Sequence, residues 1–406
     1  MLLALMLLPL LAEGQSVFQF HPQRRNSVRM PFQLERNLVV VPVQLNGRGP
    51  YYFMLDTGAD ASIITDPTLR ETLGLRIGQQ YMVAGVGEEA PLTAFQTDGV
   101  KVELGDGKVV APNMSMLLLS ADVFNLSSYV GLPVHGILGS DVFRNFVVEI
   151  QPENRTITFT RPEKFRRPWG RRWARLPITI EGSKAYVETK VTLLDSVEVP
   201  LRLVLDTGAG HALSLETGSD ARIKLPPQRL RTLLGRGLSG EIHGYLGRVS
   251  GLYLGQYRVK FPITSFPDEQ SVRARVGVPR NGNLGFELLK RFHVVIDYPH
   301  NQLLLRPNSL YRDPFEHDMC GIDLLATGGN YRRYIIKRVE AGSPAAAANL
   351  QLDDEIISIN LVPANTMSLT QIGRLLHSAD GRQLFLLVRR TDGEMVVARI
   401  KLKRQI

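Results

Sequence analysis

The sequence predicts a mainly β protein: two similar β lobes in one chain, followed by a small α/β domain. Three observations carry this reading. An Asp-Thr-Gly triplet occurs twice, in "FMLDTGADASII" at Asp56 and in "LVLDTGAGHALSL" at Asp206, 150 residues apart. The segments on either side of each triplet repeat at nearly the same spacing. The stretch beyond about residue 317 matches neither copy. Self-similarity at a fixed period marks a duplicated structural unit. A lone triplet is a weak signal; its recurrence inside a repeated context is a strong one.

The chain has 406 residues, 44% hydrophobic and 21% charged, the balance of a folded protein of two or three domains. It opens on "MLLALMLLPLLAEGQS". The apolar run 2–11 is too short to span a bilayer and has the length of a signal-peptide core, with small residues near Gly14. Residues 1–14 are expected to be a signal peptide, and the protein to be exported to the periplasm, the medium or the cell surface. No later segment reads as a membrane span.

The first lobe is expected over 35–160. "NLVVVPVQLNGRGPYYFMLDTGA" reads as strand, Asn-Gly turn, strand and triplet. "GVKVELGDGKVV" is a second hairpin. "HGILGSDVFRNFVVEIQPENRTITF" closes the lobe. The segment 161–177, "RPEKFRRPWGRRWARLP", carries seven Lys or Arg against one Glu and reads as a basic linker. The net charge of +9 is otherwise diffuse, and no nucleic-acid motif accompanies the basic run. The second lobe, 178–308, repeats the order: "KAYVETKVTLLDSVEVPLRLVLDTGA", then "GLYLGQYRVKF", then "GNLGFELLKRFHVVIDYPHNQLLL".

The last domain, 317–404, reads as strand, turn, strand, then "AGSPAAAANL". There Ser343 suits a helix N-cap and Pro344 the first helical position. "LDDEIISIN" is a strand, and "SLTQIGRLLHSADG" has helical spacing up to Gly381. "QLFLLVRRTDGEMVVARIKL" is a hairpin about Asp392-Gly393. Cys320 is the sole cysteine, which excludes an intrachain disulfide and a cysteine-rich zinc site. No metal or other cofactor is expected. Cys320 reads as a small buried apolar residue.

Two copies of one β unit can bring two aspartates to a pseudo-twofold axis. Carboxyls about 3 Å apart cannot both ionise easily, so they share a proton. The charged member can activate water as a general base, while the protonated member donates to a carbonyl oxygen. The glycine after each threonine permits a tight turn, and each threonine hydroxyl can bond the opposite lobe.

At this point the chain resembles the aspartic peptidases of the retropepsin-like branch, with both halves in one chain. The residues that carry the likeness are "LDTGAD" at 55–60, its second copy at 205–210, and two hydrophobic-hydrophobic-Gly elements. The first element is Ile137-Leu138-Gly139. The second, Asn283-Leu284-Gly285, has a polar first residue. The resemblance implies catalysis by Asp56 and Asp206, and loop support from Thr57, Gly58, Ala59, Thr207, Gly208 and Ala209. It implies substrate contacts at Asp60, Val86, Gly87 and Ile137, and flap hairpins over 81–95 and 235–251. Retroviral enzymes place an Arg after the Gly of this hydrophobic-hydrophobic-Gly element, paired with the Asp at the position of Asp60. Ser140 and Phe286 stand there instead, and Gly210 replaces Asp60 in the second copy.

The last domain resembles a bacterial PDZ domain. The likeness implies a carboxylate-binding loop at Gly321, Ile322 and Asp323 that takes the C-terminus of a peptide partner. Together these features resemble bacterial exported aspartyl peptidases with a PDZ domain. The expected form is a monomer with an intrachain aspartate pair. The expected function is endopeptidase cleavage of a peptide or protein substrate, with no nucleic-acid partner. The alternative is a peptide-binding scaffold of the same fold without catalysis. A phosphate loop of actin-like ATPases also begins Asp-x-Gly, but Ala59 and Ala209 and the shortage of helices argue against it.

Overall fold

The computed structural model describes residues 18–83, 92–237, 240–273 and 278–406. The expected signal peptide, Val86 and Gly87 lie outside the described residues. The chain divides into two compact units. One runs up to Phe124 and resumes over His135–Asp313. The other joins Asn125–Val134 to Pro314–Ile406. No helix among the described residues is long and apolar enough to cross a membrane.

The first unit is built almost entirely of strands. Leu38–Leu45 and Arg48–Leu55 form a hairpin about Asn46-Gly47, both at positive φ, as an Asn-Gly two-residue turn requires. Arg48–Leu55 also pairs in parallel with Gly136–Leu138, which runs antiparallel to Ile63–Ile64. The second copy has the same weave. Lys184–Thr192 pairs with Glu198–Asp206, which lies parallel to Gly282–Gly285, itself antiparallel to Leu213–Leu215. Strand ends covered on both faces need apolar residues at consecutive positions rather than alternate ones. Phe53, Met54 and Leu55 in the first copy, and Leu203, Val204 and Leu205 in the second, are all buried.

The copies are joined by one antiparallel sheet to which both contribute. Its order is Ser27–Pro31, Thr156–Thr160, Val147–Gln151, Phe292–Asp297, Gln302–Pro307 and Ala174–Glu181. The central register sets Val148 against Ile296 and Ile150 against Val294, all fully buried. His293 Nε2 lies 2.8 Å from Glu149 Oε1 across the same seam.

The basic stretch 161–177 differs from a free linker. Its last residues begin the strand Ala174–Glu181, whose burial alternates at Ala174, Leu176 and Ile178. Arg161 Nε donates to Arg25 O at 2.9 Å, and Trp173 packs edge-on against His293. Charge density masked a period-two apolar pattern that was present in "ARLPITI". The flap-like hairpins are Ile77–Val83 with Leu92–Leu104, and Arg229–Gly237 with Gly240–Arg248. The second begins earlier than the expected 235–251.

The second unit contains a six-stranded sheet. Ile322–Thr327, Arg333–Val339, Glu355–Ile359, Gln383–Arg389 and Met395–Lys401 lie in that order, with Val362–Pro363 beside Glu355–Ile359. Ser343 caps Pro344–Ala347 by accepting from Ala346 N at 3.2 Å. Leu369–Leu376 starts with a capping box of Ser368 and Gln371. That helix stops at Leu376, short of Gly381. Cys320 is buried in this unit's core with Tyr334, Ile336, Leu384 and Ile400.

Candidate active site

The two Asp-Thr-Gly loops meet inside the first unit. Each follows the last residues of a buried strand, and each threonine reaches across to the other copy. Thr57 N–H donates to Thr207 Oγ1 at 3.0 Å, and Thr207 N–H donates to Thr57 Oγ1 at 3.0 Å. The hydroxyls continue the exchange: Thr57 Oγ1 donates to Leu205 O at 2.6 Å and Thr207 Oγ1 to Leu55 O at 2.9 Å. These four reciprocal bonds are fully buried. Removing one partner would strand polar groups away from water, which fixes the loops relative to each other.

The interlock sets the aspartates face to face. Both carboxyls are buried, and each lies against the glycine of the opposite loop. Gly58 N–H donates to Asp56 Oδ1 at 2.7 Å, and Gly208 N–H donates to Asp206 Oδ1 at 3.1 Å. Glycine is required here because each loop passes against the opposite carboxyl. A Cβ at position 58 would sit 3.0 Å from Asp206 Oδ1, and one at 208 would collide with the Asp56 carboxyl. Ala59 and Ala209 are buried, and their carbonyls accept from Ser140 N at 3.0 Å and Phe286 N at 2.7 Å. Gly139 and Gly285 press against those same carbonyls, leaving no room for a side chain.

The outer carboxyl oxygens differ. Asn283 Nδ2 donates to Asp206 Oδ2 at 2.6 Å. Its counterpart in the first copy is Ile137, which occupies the same register position and offers no donor. Asp56 Oδ2 is buried without a hydrogen-bond donor. Burial, reinforced by the Asp206 charge, pushes the Asp56 carboxyl well above the usual carboxylate range. Burial raises Asp206 too, but there the Asn283 amide and the Arg280 guanidinium pull the other way. These surroundings favour the proton on Asp56 over Asp206.

Asp60 has found a different cation from the Arg that retroviral enzymes use. Lys184 Nζ, in the second copy, lies 3.5 Å from Asp60 Oδ2. Burial raises the Asp60 carboxyl and Lys184 opposes that rise. Ser140, in the place of the missing Arg, donates its hydroxyl to Asp60 O at 2.7 Å. The opposite side is built from other residues: Asn37 Nδ2 donates to Gly210 O at 3.0 Å, and Lys290 Nζ to Asn37 Oδ1 at 2.8 Å. The turns before Leu38 and at Lys184 thus each brace the other copy's loop. Sequence reasoning missed Lys184 and registered Asn283 only as a polar departure. That polarity at a buried apolar position was the available signal. His211 follows Gly210, and burial drives its pKa down to about 3, so its ring is neutral.

Of the residues expected at the site, Asp56, Thr57, Gly58, Ala59, Asp60, Asp206, Thr207, Gly208 and Ala209 assemble together, with Ile137 buried beside them. A cavity of about 260 Å³ opens elsewhere in the first unit, lined by Glu216, Ser219, Glu269 and Arg280, and includes no residue of either loop. Gly321, Ile322 and Asp323 lie in the second unit. The N–H groups of Gly321 and Ile322 both donate to the Asp318 side chain, so the expected carboxylate loop already holds a carboxylate. The Asp323 carboxylate instead pairs with Arg338 at 2.7 Å.

Comparison with known proteins gives two family matches. Residues 41–142 match the aspartyl protease family and residues 335–390 match the PDZ domain family. The first match covers the first Asp-Thr-Gly copy; the second copy lies beyond it. The chain thus combines aspartyl protease and PDZ domains in a mainly β fold. Among solved structures, a photosystem II D1 C-terminal processing protease is similar over 21% of this chain and 23% of its own, at 17% identity and a TM-score of 0.20. The chain spans about a quarter of that protein's length. Soybean Basic 7S globulin is similar over 70% of this chain and 96% of its own, at 12% identity and a TM-score of 0.39. No match is found among curated proteins.

Proposed function

We propose that this protein is an aspartic endopeptidase whose catalytic pair is Asp56 and Asp206. The observation that supports the reading is the reciprocal Thr57–Thr207 interlock, which brings two buried carboxyls together. Asp206, ionised, takes a proton from a water as the water oxygen attacks the scissile carbonyl carbon. Asp56, protonated, gives its proton to the carbonyl oxygen, so a neutral tetrahedral diol forms. Asp206 then delivers its proton to the amide nitrogen as the C–N bond breaks, and Asp56 recovers a proton from a diol hydroxyl. Both carboxyls return to their starting states.

The substrate on this reading is an extended peptide lying beneath the two hairpins, and the acting form is a monomer. Export belongs to the same proposal and is supported by the apolar run 2–11. Purified protein should cleave a mixed peptide substrate at acidic to neutral pH. Asp56→Asn and Asp206→Asn should each lower the rate by roughly 10²-fold or more. Cleavage by both variants as fast as by the parent would overturn the Asp56–Asp206 pair, and no cleavage by the folded parent would leave a peptide-binding scaffold as the better description.

A further inference from the structure

PDZ domains take extended peptides by adding a strand to a sheet edge, while clustered backbone N–H groups capture the terminal carboxylate. In this chain the edge strand is Ile322–Thr327, which pairs within the sheet to Arg333–Val339. The N–H cluster is formed by Cys320, Gly321 and Ile322, with Gly321 at φ +87. All three N–H groups already address one carboxylate. Cys320 N donates to Asp318 Oδ1 at 3.3 Å, and Ile322 N donates to Asp318 Oδ2 at 3.2 Å, an oxygen shared with Gly321 N.

The far end of the same edge is also occupied. Residues 125–134 belong to this unit although they lie in sequence within the first Asp-Thr-Gly copy. They form a one-turn helix, Leu126–Val130, closed into a loop by Ser127. Its Oγ accepts from Val134 N at 2.9 Å and lies 3.1 Å from Val134 O. Gly131, at φ +82, lies against the edge strand and the start of the helix Leu369–Leu376. A Cβ there would be 3.0 Å from Leu369 Cβ and 3.7 Å from Ala326 Cβ.

We propose that this PDZ groove is filled by the chain itself, Asp318 standing for a ligand's terminal carboxylate and residues 125–134 for its body. The domain is then a clamp on an internal segment and takes no free C-termini. The clamped segment is placed to matter: two residues after Val134 begins the strand Gly136–Leu138, and Leu138 O accepts from Asp56 N at 2.9 Å. The proposal is tested by binding and cross-linking rather than cleavage, so it stands or falls separately from the catalytic reading.

The full chain is titrated with fluorescein-labelled random tripeptides ending in a free carboxylate or an amide. The parent protein is expected to bind the two alike, within about twofold. Asp318→Ala, which empties the N–H cluster, is expected to prefer the free carboxylate by about tenfold or more. A tenfold carboxylate preference in the parent overturns the proposal, as does no gain in a folded Asp318→Ala protein. For the segment, Gly131→Cys with Ala326→Cys sets the two Cβ atoms at disulfide distance. Cross-linking on mild oxidation supports the seating. Failure to cross-link while the single Gly131→Cys protein melts normally overturns it. Where that single variant does not fold, amide exchange of residues 127–131 in the parent decides. Slowing of about 100-fold or more relative to a free loop supports the seating, and less than about tenfold overturns it.

Discussion

Replacing Asn283 by leucine would give the second copy the kind of residue the first carries at Ile137. The perturbation is small in volume and specific in chemistry. It removes one donor, the Nδ2–H that meets Asp206 Oδ2 at 2.6 Å. It also removes the buried Asn283 Oδ1, which has no hydrogen-bond partner, so the folded state loses little. Hydrogen bonds to charged groups contribute about 1.5–3 kcal/mol, and one pKa unit corresponds to about 1.4 kcal/mol. The Asn283 bond therefore favours the Asp206 carboxylate by roughly one to two units. The sign follows directly. The donor stabilises the ionised form, so losing it makes the first ionisation of the pair harder. The acid limb of the cleavage pH profile should move up by roughly one to two units, with melting temperature nearly unchanged. Serine at 283, which keeps a short donor, should recover part of the shift. A folded Asn283→Leu protein that cleaves with an unmoved acid limb would refute the argument that Asn283 places the proton on Asp56.

Thr57→Ala removes the hydroxyl that accepts from Thr207 N and donates to Leu205 O; stranding these buried groups should cost about 2–4 kcal/mol, read as a lower urea midpoint. Lys184→Met leaves Asp60 largely buried without its cation, and denaturant unfolding should show a loss of about 1–3 kcal/mol that Asp60→Asn in the same protein largely restores. Asp318 gives a pH dependence of opposite sign to most carboxylates. Burial pushes its carboxyl up to about 6, above the unfolded value near 3.9. The folded protein then binds the extra proton between these values. That contribution is fully present below about pH 4 and is lost as pH rises through about 6, amounting to about 2–3 kcal/mol at neutrality. The stability difference between the parent and Asp318→Asn should follow this curve, and a difference that is flat from pH 4 to 7.5 would contradict it.

The backbone of the site was legible because its requirements are written in residue types with few substitutes. A side chain at 208 would collide with the opposite carboxyl and one at 58 would crowd it, and only a hydroxyl at 57 and 207 can both give and accept across the axis. Both therefore appear twice, at one spacing, in one context. The residues that escaped act through contacts between positions far apart in the chain, for which sequence has no period. Lys184 lies 124 positions from Asp60 and Asn283 77 positions from Asp206. The strand at Ala174 was hidden for a different reason: the arginines before it and Arg175 on its exposed face dominated composition, while its buried face kept strict alternation. The occupied PDZ loop was invisible because Asp318 precedes the expected motif. Its role depends on a side chain folding back over three successive N–H groups.

The duplication also explains why polarity within the pair is possible. Where two identical chains supply the two aspartates, every neighbour of one carboxyl recurs at the other, and the proton has no preferred side until substrate arrives. One chain with two diverged copies is free of that constraint. Here the interlocking threonines and glycines stay paired, since both loops need the same geometry. The flanking positions have separated: Asn283 against Ile137, Asp60 against Gly210, Lys184 against Asn37. Asn283 and Asp60 each place a donor or a charge on one side alone. The first of them acts on the pair directly: Asp206 has a donor at its outer oxygen and Asp56 has none. On the proposed mechanism, Asp206 as general base and Asp56 as general acid are thereby favoured before substrate binds, so less rearrangement is left for the chemical step.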